Sequence, residues 1–205
     1  MDGIFGIDSP LMNALNKFMN IVILNLCFLL SCLPLVTAGA AMTALYSVHL
    51  KMVKDEEVYV FSSYWKAFRG NFKQSTICFL LCMAVGAVFV LDFYVVAGFP
   101  GIMASVFKVA LTMLLVVYLI VFLYVFPYMA RFRDSLRISL KNALLIGGAN
   151  IAYTITVMLI IAACFALTFM SVGIMLRALF IWIVGGFSLL AYICSFFFRR
   201  VFDKY

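Results

Sequence analysis

Histidine is almost absent from this sequence: His49 is the only one in 205 residues. That scarcity removes most metal-hydrolase chemistry and most nucleophile–base sets, and no glycine-rich phosphate loop is present. Charge is scarce too. Asp, Glu, Lys and Arg make up 11% of the residues against 67% hydrophobic types, whereas a soluble domain is about half apolar and about a quarter charged. No water-soluble core can use so much apolar surface, and no polar stretch is long enough for a second domain. Residues 1–205 therefore read as one transmembrane domain. The six cysteines (Cys27, Cys32, Cys78, Cys82, Cys164, Cys194) all lie in apolar runs, so they read as packed thiols and not as a disulfide framework. Cys78 and Cys82 have the spacing of metal ligands, but no His or carboxylate stands near them in sequence. Nothing calls for a metal or cofactor, and the chain does not read as an enzyme.

What is present is length of apolar run. Phe18–Leu50 holds no Lys, Arg, Asp or Glu. A single helix of that length would rise about 50 Å, well beyond a hydrocarbon core of about 30 Å. Pro34 breaks the run, Thr37 offers a cap for a second helix, and Gly39 is permissive. The expectation is a hairpin, with spans at about 18–33 and 38–53. Ala38-Gly39-Ala40 has the small residues of a leader cleavage site, but the apolar region before it is long and Asp2 and Asp8 outnumber Lys17 there, so cleavage is not expected. Asp8-Ser9-Pro10 reads as a helix start. Further spans read at about 75–97, 102–126 (closing at Pro127), 144–170 and 175–198. Short turns at Gly98–Gly101 and Ser171–Gly173 separate members of the later pairs. The fold class is all-α: a polytopic membrane helical bundle of six transmembrane helices in three hairpins. The alternative is five, if Phe18–Leu50 crosses once.

The charges fall unevenly. Lys17 stands before the first span. Lys51, Lys54, Lys66, Arg69 and Lys73 follow the second. Arg131, Arg133, Arg137 and Lys141 follow the fourth, and Arg199, Arg200 and Lys204 follow the sixth. Such segments belong on the cytoplasmic side, against anionic lipid headgroups, which with six spans puts both termini there. The net charge of +7 is thereby accounted for without nucleic acid. Two amphipathic interfacial helices are expected. In the first, Phe61, Tyr64, Trp65, Phe68 and Phe72 share one face and Lys66, Arg69 and Lys73 another. In the second, residues 128–142, Arg133, Arg137 and Lys141 share a face beside Phe132, Leu136 and Leu140. The candidate lipid- or partner-docking residues are Trp65, Lys66, Phe68, Arg69, Asn71, Arg133, Arg137 and Lys141. The intramembrane polar candidates are Asn25, Asp92, Lys108 and Asn150. Asp92 and Lys108 lie equally far from Pro100 and read as an interhelical latch, a snorkelling lysine or a relay. Asn20, Asn25, Asn150, Thr154 and Thr156 read as interhelical hydrogen-bonding groups or, less economically, as a polar path. Gly147-Gly148 and Gly185-Gly186 read as points of close helix approach.

The motif Asn25, Leu33-Pro34-x-x-Thr37-x-Gly39 and Ala44-Leu45, followed by Tyr64-Trp65-x-x-Phe68-x-x-Asn71-Phe72-Lys73-Gln74-Ser75, resembles the YesL-like family of bacterial integral membrane proteins. The likeness runs over essentially the whole length and is sharpest in the first third. Members of that family, of unknown function, are often encoded beside sugar-uptake ABC transporters of Gram-positive bacteria. The resemblance implies a multi-pass protein of the bacterial cell membrane, accessory to carbohydrate import, with ABC permease subunits as partners and no catalytic residues. A small-solute carrier with a path between the helices is the alternative.

Overall fold

The computed structural model describes residues 10–56, 58–99 and 101–205, and among these the chain is helical with no strand. Asp2, the helix start at Asp8-Ser9, Glu57 and the turn residue Pro100 lie outside the described residues. The helices are α1 (Pro10–Cys32), α2 (Ala38–Met52), α3 (Val60–Ala97), α4 (Ile102–Arg131), α5 (Leu136–Ala149), α6 (Ile151–Phe169), α7 (Val172–Ile181) and α8 (Phe187–Phe202). A π-helical segment, Trp182–Gly186, joins α7 to α8 without a break. The architecture is the expected all-α membrane bundle.

Pro34 does turn the first apolar run. α1 ends at Cys32, a short 3-10 turn occupies Leu35–Thr37, and α2 begins at Ala38. Thr37 does not cap α2. Its hydroxyl donates backwards, to the carbonyls of Ser31 (2.5 Å) and Pro34 (2.7 Å), and so ties the turn shut. At the open end of the hairpin, Lys17 Nζ meets Asp55 Oδ1 at 2.9 Å. The Lys17 ammonium, through that hydrogen bond and its charge, holds the Asp55 carboxyl below the usual carboxylate range.

Among the described residues five helical stretches are long and apolar enough to cross a membrane: Ala14–Cys32, Val60–Ala97, Ile102–Arg131, Ile151–Phe169 and Val172–Phe202. α2 is not among them. Its 15 residues rise only about 22 Å. The number of crossing-length helices is thus five and not six, yet not by the expected route, because residues 18–50 form a hairpin and not one long span. The reason is enclosure. α2 packs against α1, α3, α4 and α8, and ten of its residues are buried, among them Ala40, Ala41 and Ala44. A helix walled in by protein need not match the lipid thickness.

The close approach that encloses it depends on Gly39. A methyl group there would run into the Ser75 carbonyl oxygen and the Phe79 Cβ of α3. Beside this contact, Thr43 Oγ1 donates to Ser75 Oγ at 2.9 Å. The closed end of the first hairpin therefore meets α3 near its middle, and α3 runs on to Ala97, about 27 Å further. In that outer part Val88, Val90, Leu91 and Tyr94 of α3 and Met103, Val106 and Phe107 of α4 are exposed, as lipid-facing side chains are. Gly147 lets α5 approach Ile120 and Tyr124 of α4 in the same way, whereas Gly148 faces open space and Gly185 makes only an ordinary contact with Ile21.

Several element boundaries differ from expectation. The aromatic–basic segment after residue 60 is no separate interfacial helix: with no proline to stop it, it continues into the span as one helix of 38 residues. Its aromatic face turns largely to protein. Tyr64 is fully buried and its hydroxyl bonds Ser31, while Trp65 and Phe68 pack half-buried against the first hairpin. α4 passes through Pro127 to Arg131, as membrane helices can when neighbours surround the proline. The expected fifth span breaks at Asn150, which separates α5 from α6.

The basic segments converge at one end of the bundle. Arg131 Nη2 pairs with Asp203 Oδ1 at 2.8 Å, joining the ends of α4 and α8. Arg199 reaches Asp203 at 3.4 Å and donates to the Val53 carbonyl at 2.5 Å. Burial pushes the Asp203 carboxyl up, but the Arg131 guanidinium, aided by Lys54 and Arg199, more than offsets this and holds it below the usual range. A depressed carboxylate stabilises the fold above its unfolded pKa of about 3.9, and the contribution is lost as pH falls through the folded value. Thermal melts in detergent are expected to lose stability in that acid range, and Asp203→Asn should show less of that loss while melting lower at neutral pH.

Candidate functional site

At this basic end the C-terminal half of α2, the first turns of α3 and the α4–α5 junction enclose a polar cleft of about 530 Å3. Such a volume falls within the ~300–1,000 Å3 of small-molecule sites. α2 contributes Ser47 and Lys51; α3 contributes Ser63, Lys66, Asn71 and Gln74; the junction contributes Arg131, Arg133 and Asp134. Each local structure has a simple cause. Continuous helix through residues 60–75 puts Ser63, Lys66, Gly70 and Gln74 on one face at spacings of three and four. Residues 132–135 are not helical, which frees Arg133 from the α5 surface and brings it to the cleft. Gln74 pins that junction by donating from Nε2 to the Asp134 carbonyl at 2.7 Å.

The electrostatics are one-sided. Among the described residues no salt bridge reaches Lys51, Lys66 or Arg133. Arg131 shares its charge with Asp203, and its Nη1 is buried without a hydrogen-bond partner. The one carboxylate of the lining, Asp134, accepts the Tyr128 hydroxyl at 2.5 Å, and that hydroxyl in turn accepts from Asn142 at 2.6 Å. The Asn71 amide donates to the Ala67 carbonyl at 3.1 Å. The cleft thus offers ammonium and guanidinium groups with little to neutralise them.

Of the sequence-derived docking residues, Lys66, Asn71 and Arg133 line this cleft. Arg69, Arg137 and Lys141 are exposed. Trp65 and Phe68 belong instead to a ladder of rings running from Phe61 to Phe72, with Trp65 and Phe68 centroids 5.4 Å apart. The expected face of Arg133, Arg137 and Lys141 is divided, because only the last two are on α5. Lys51 and Arg131 count among the cytoplasmic cations of the sequence but not among its docking candidates. They come from different segments, and no local pattern joins them.

The intramembrane candidates do not form one path. Asn25 on α1 binds the π segment: its Nδ2 donates to the carbonyls of Trp182 (3.0 Å) and Ile183 (2.7 Å), and its Oδ1 accepts from the Ser188 N–H at 3.0 Å. His49 Nε2 lies 3.0 Å from Ser188 Oγ, which extends the network to α2. Asn150 lies apart from this network, at the α5–α6 break beside the C-terminal residues, where its Oδ1 accepts from Lys204 Nζ (2.8 Å) and its Nδ2 donates to the Tyr205 hydroxyl (3.4 Å). Thr154 bonds Tyr124 at 3.0 Å, whereas Thr156 bonds only the Ala152 carbonyl of its own helix. No ion pair links Asp92 to Lys108 among the described residues, and Lys108 is exposed. Equal distance from a turn sets equal depth but not facing sides, because each residue rotates about 100° around its helix. Cys78 and Cys82 are buried in the main core as free thiols.

A second cavity, of about 510 Å3, lies between α1, α2, α4, α6 and α8. Phe28, Met42, Leu45, Leu119, Phe122 and Phe187 are among its walls. Tyr46 is the one side chain there with a polar atom other than sulfur.

Residues 21–93 match the model of a family described as "Protein of unknown function, DUF624", a family of uncharacterised membrane-associated bacterial proteins. The matched segment contains the second half of α1, all of α2 and nearly all of α3, hence Lys51, Lys66, Asn71 and Gln74, but not Arg131 or Arg133. No curated protein and no solved structure matches the chain.

Proposed function

We propose that this protein is a non-enzymatic accessory component of the bacterial cell membrane, which works through its basic end with a carbohydrate ABC-type importer. The observation that carries the reading is the contrast between the two ends of its chemistry. Cations outnumber carboxylates at one end, with Lys51, Lys66 and Arg133 in no salt bridge among the described residues, while the cavity between the helices is apolar. A carrier of sugars needs facing hydrogen-bonding groups along its path, since each unsatisfied hydroxyl costs several kcal/mol in hydrocarbon, on the order of 2–7. That apolar cavity supplies almost none. The importer as partner follows from the YesL-like resemblance of the first hairpin and α3, and the positive-inside rule puts the basic end and both termini in the cytoplasm.

Exposed Arg69, Arg137 and Lys141 make the contact, because Trp65 and Phe68 are already committed to the ring ladder. Rim charges of this kind act mostly on encounter and register. Co-expression with the permease subunits of a sugar importer, followed by gentle-detergent purification, should recover a stable complex. Arg69→Glu with Lys141→Glu should abolish it with unchanged melting. Saturable sugar uptake by the protein alone in proteoliposomes would favour the carrier and overturn the proposal.

A further inference from the structure

The cleft does more than add to a charged surface. We infer that it is a binding site for the phosphate group of a small organic anion. Its cations come from three segments, Lys51 of α2, Lys66 of α3, and Arg131 and Arg133 at the α4–α5 junction, so they approach an occupant from several sides, as a tetrahedral multiply charged group requires. The hydroxyls of Ser47 and Ser63 add neutral donors. Against the four cations the lining holds one carboxylate, Asp134, whose Oδ2 accepts the Tyr128 hydroxyl. The two amides are engaged as well, with the Ala67 and Asp134 carbonyls. The Lys51 and Lys66 ammoniums and the Arg133 guanidinium are in no salt bridge among the described residues. Guanidinium and ammonium groups bind phosphate oxygens by short charge-assisted hydrogen bonds. The volume exceeds that of a bare phosphate and leaves room for an organic substituent. At the cytoplasmic end of a membrane bundle, that chemistry has two sources: an anionic phospholipid headgroup or a soluble sugar phosphate.

The inference goes beyond the partner reading and does not depend on it, because binding is measured with no importer present. Purified full-length protein in maltoside detergent is titrated with glucose 6-phosphate and, separately, with citrate as a carboxylate control. In a second arm the protein is placed in phosphatidylcholine nanodiscs containing phosphatidylglycerol, and retained lipid is counted by native mass spectrometry. The variant is Lys66→Ala with Arg133→Ala, both exposed side chains without a salt bridge. The control is Lys108→Ala with Arg177→Ala, which removes the same charge elsewhere. Should the double variant melt lower than wild type, Lys51→Gln replaces it. Saturable glucose 6-phosphate binding that weakens at least about tenfold in the cleft variant and not in the control establishes the site with a soluble ligand. Retention of phosphatidylglycerol that is lost in the cleft variant alone establishes it with a lipid. Equal binding by variant and wild type in both arms, or citrate binding as tightly as the phosphate probe, overturns the inference.

Discussion

Gly39→Val is expected to unfold the bundle at ordinary temperature or to leave it melting far below the wild type. The new methyls would meet a backbone carbonyl at Ser75 and the Phe79 Cβ, and neither can swing aside as the tip of a long side chain can. Overpacking of a core costs roughly 1–3 kcal/mol, and more where the neighbours cannot yield; about 3 kcal/mol is the expectation. Separation of α2 from α3 also breaks the Thr43–Ser75 hydrogen bond and loosens the element that both halves of the core share. Gly148→Ala is the matched comparison. Nothing lies within 4 Å of that position, and alanine is the better helix former by about 0.5–1 kcal/mol. That variant should melt at or above the wild-type temperature. Thermal denaturation in detergent, followed by size-exclusion recovery, reads both. Wild-type behaviour of Gly39→Val would mean that α2 and α3 do not meet there.

The second large effect is expected at Asn25. Its amide makes three hydrogen bonds to α8 and the π segment before it. A π turn leaves carbonyls out of register with their helical donors, and Asn25 supplies donors to two of them from α1. Interhelical hydrogen bonds in membranes average about 0.6 kcal/mol each and reach about 1.7. Asn25→Ala removes three at once and strands buried backbone groups, so a loss of about 2–4 kcal/mol is expected. Asn20→Ala, on the same helix, removes a half-buried amide for which no such bond is found among the described residues and should change stability by less than about 0.5 kcal/mol. Equal melting of the two variants would dissolve the distinction.

The comparison of these two asparagines shows how far the sequence could be read. Pro34 announced the hairpin because proline acts on its own neighbours, within one turn of chain. Asn25 stood out as an intramembrane candidate, but the π segment more than 150 residues away that separates it from Asn20 could not be foreseen. Gly39 was legible as small but not as indispensable, since Ser75 and Phe79 define its space. The four-residue repeat of Arg133, Arg137 and Lys141 implied one helical face, yet the helix begins only at Leu136. The cleft itself was invisible for the same reason: Lys51 and Arg131 join Lys66 only through tertiary packing. Composition, by contrast, announced the membrane bundle from the start, because lipid demands apolar surface from every helix that faces it.

The claim that the basic end is the working surface is tested most directly by copurification of the intact protein with coexpressed sugar-importer permease subunits. The expected result is a complex that survives gentle detergent with wild type and is lost with Arg69→Glu plus Lys141→Glu, while both proteins melt alike. A complex equally stable with the reversed charges would contradict it.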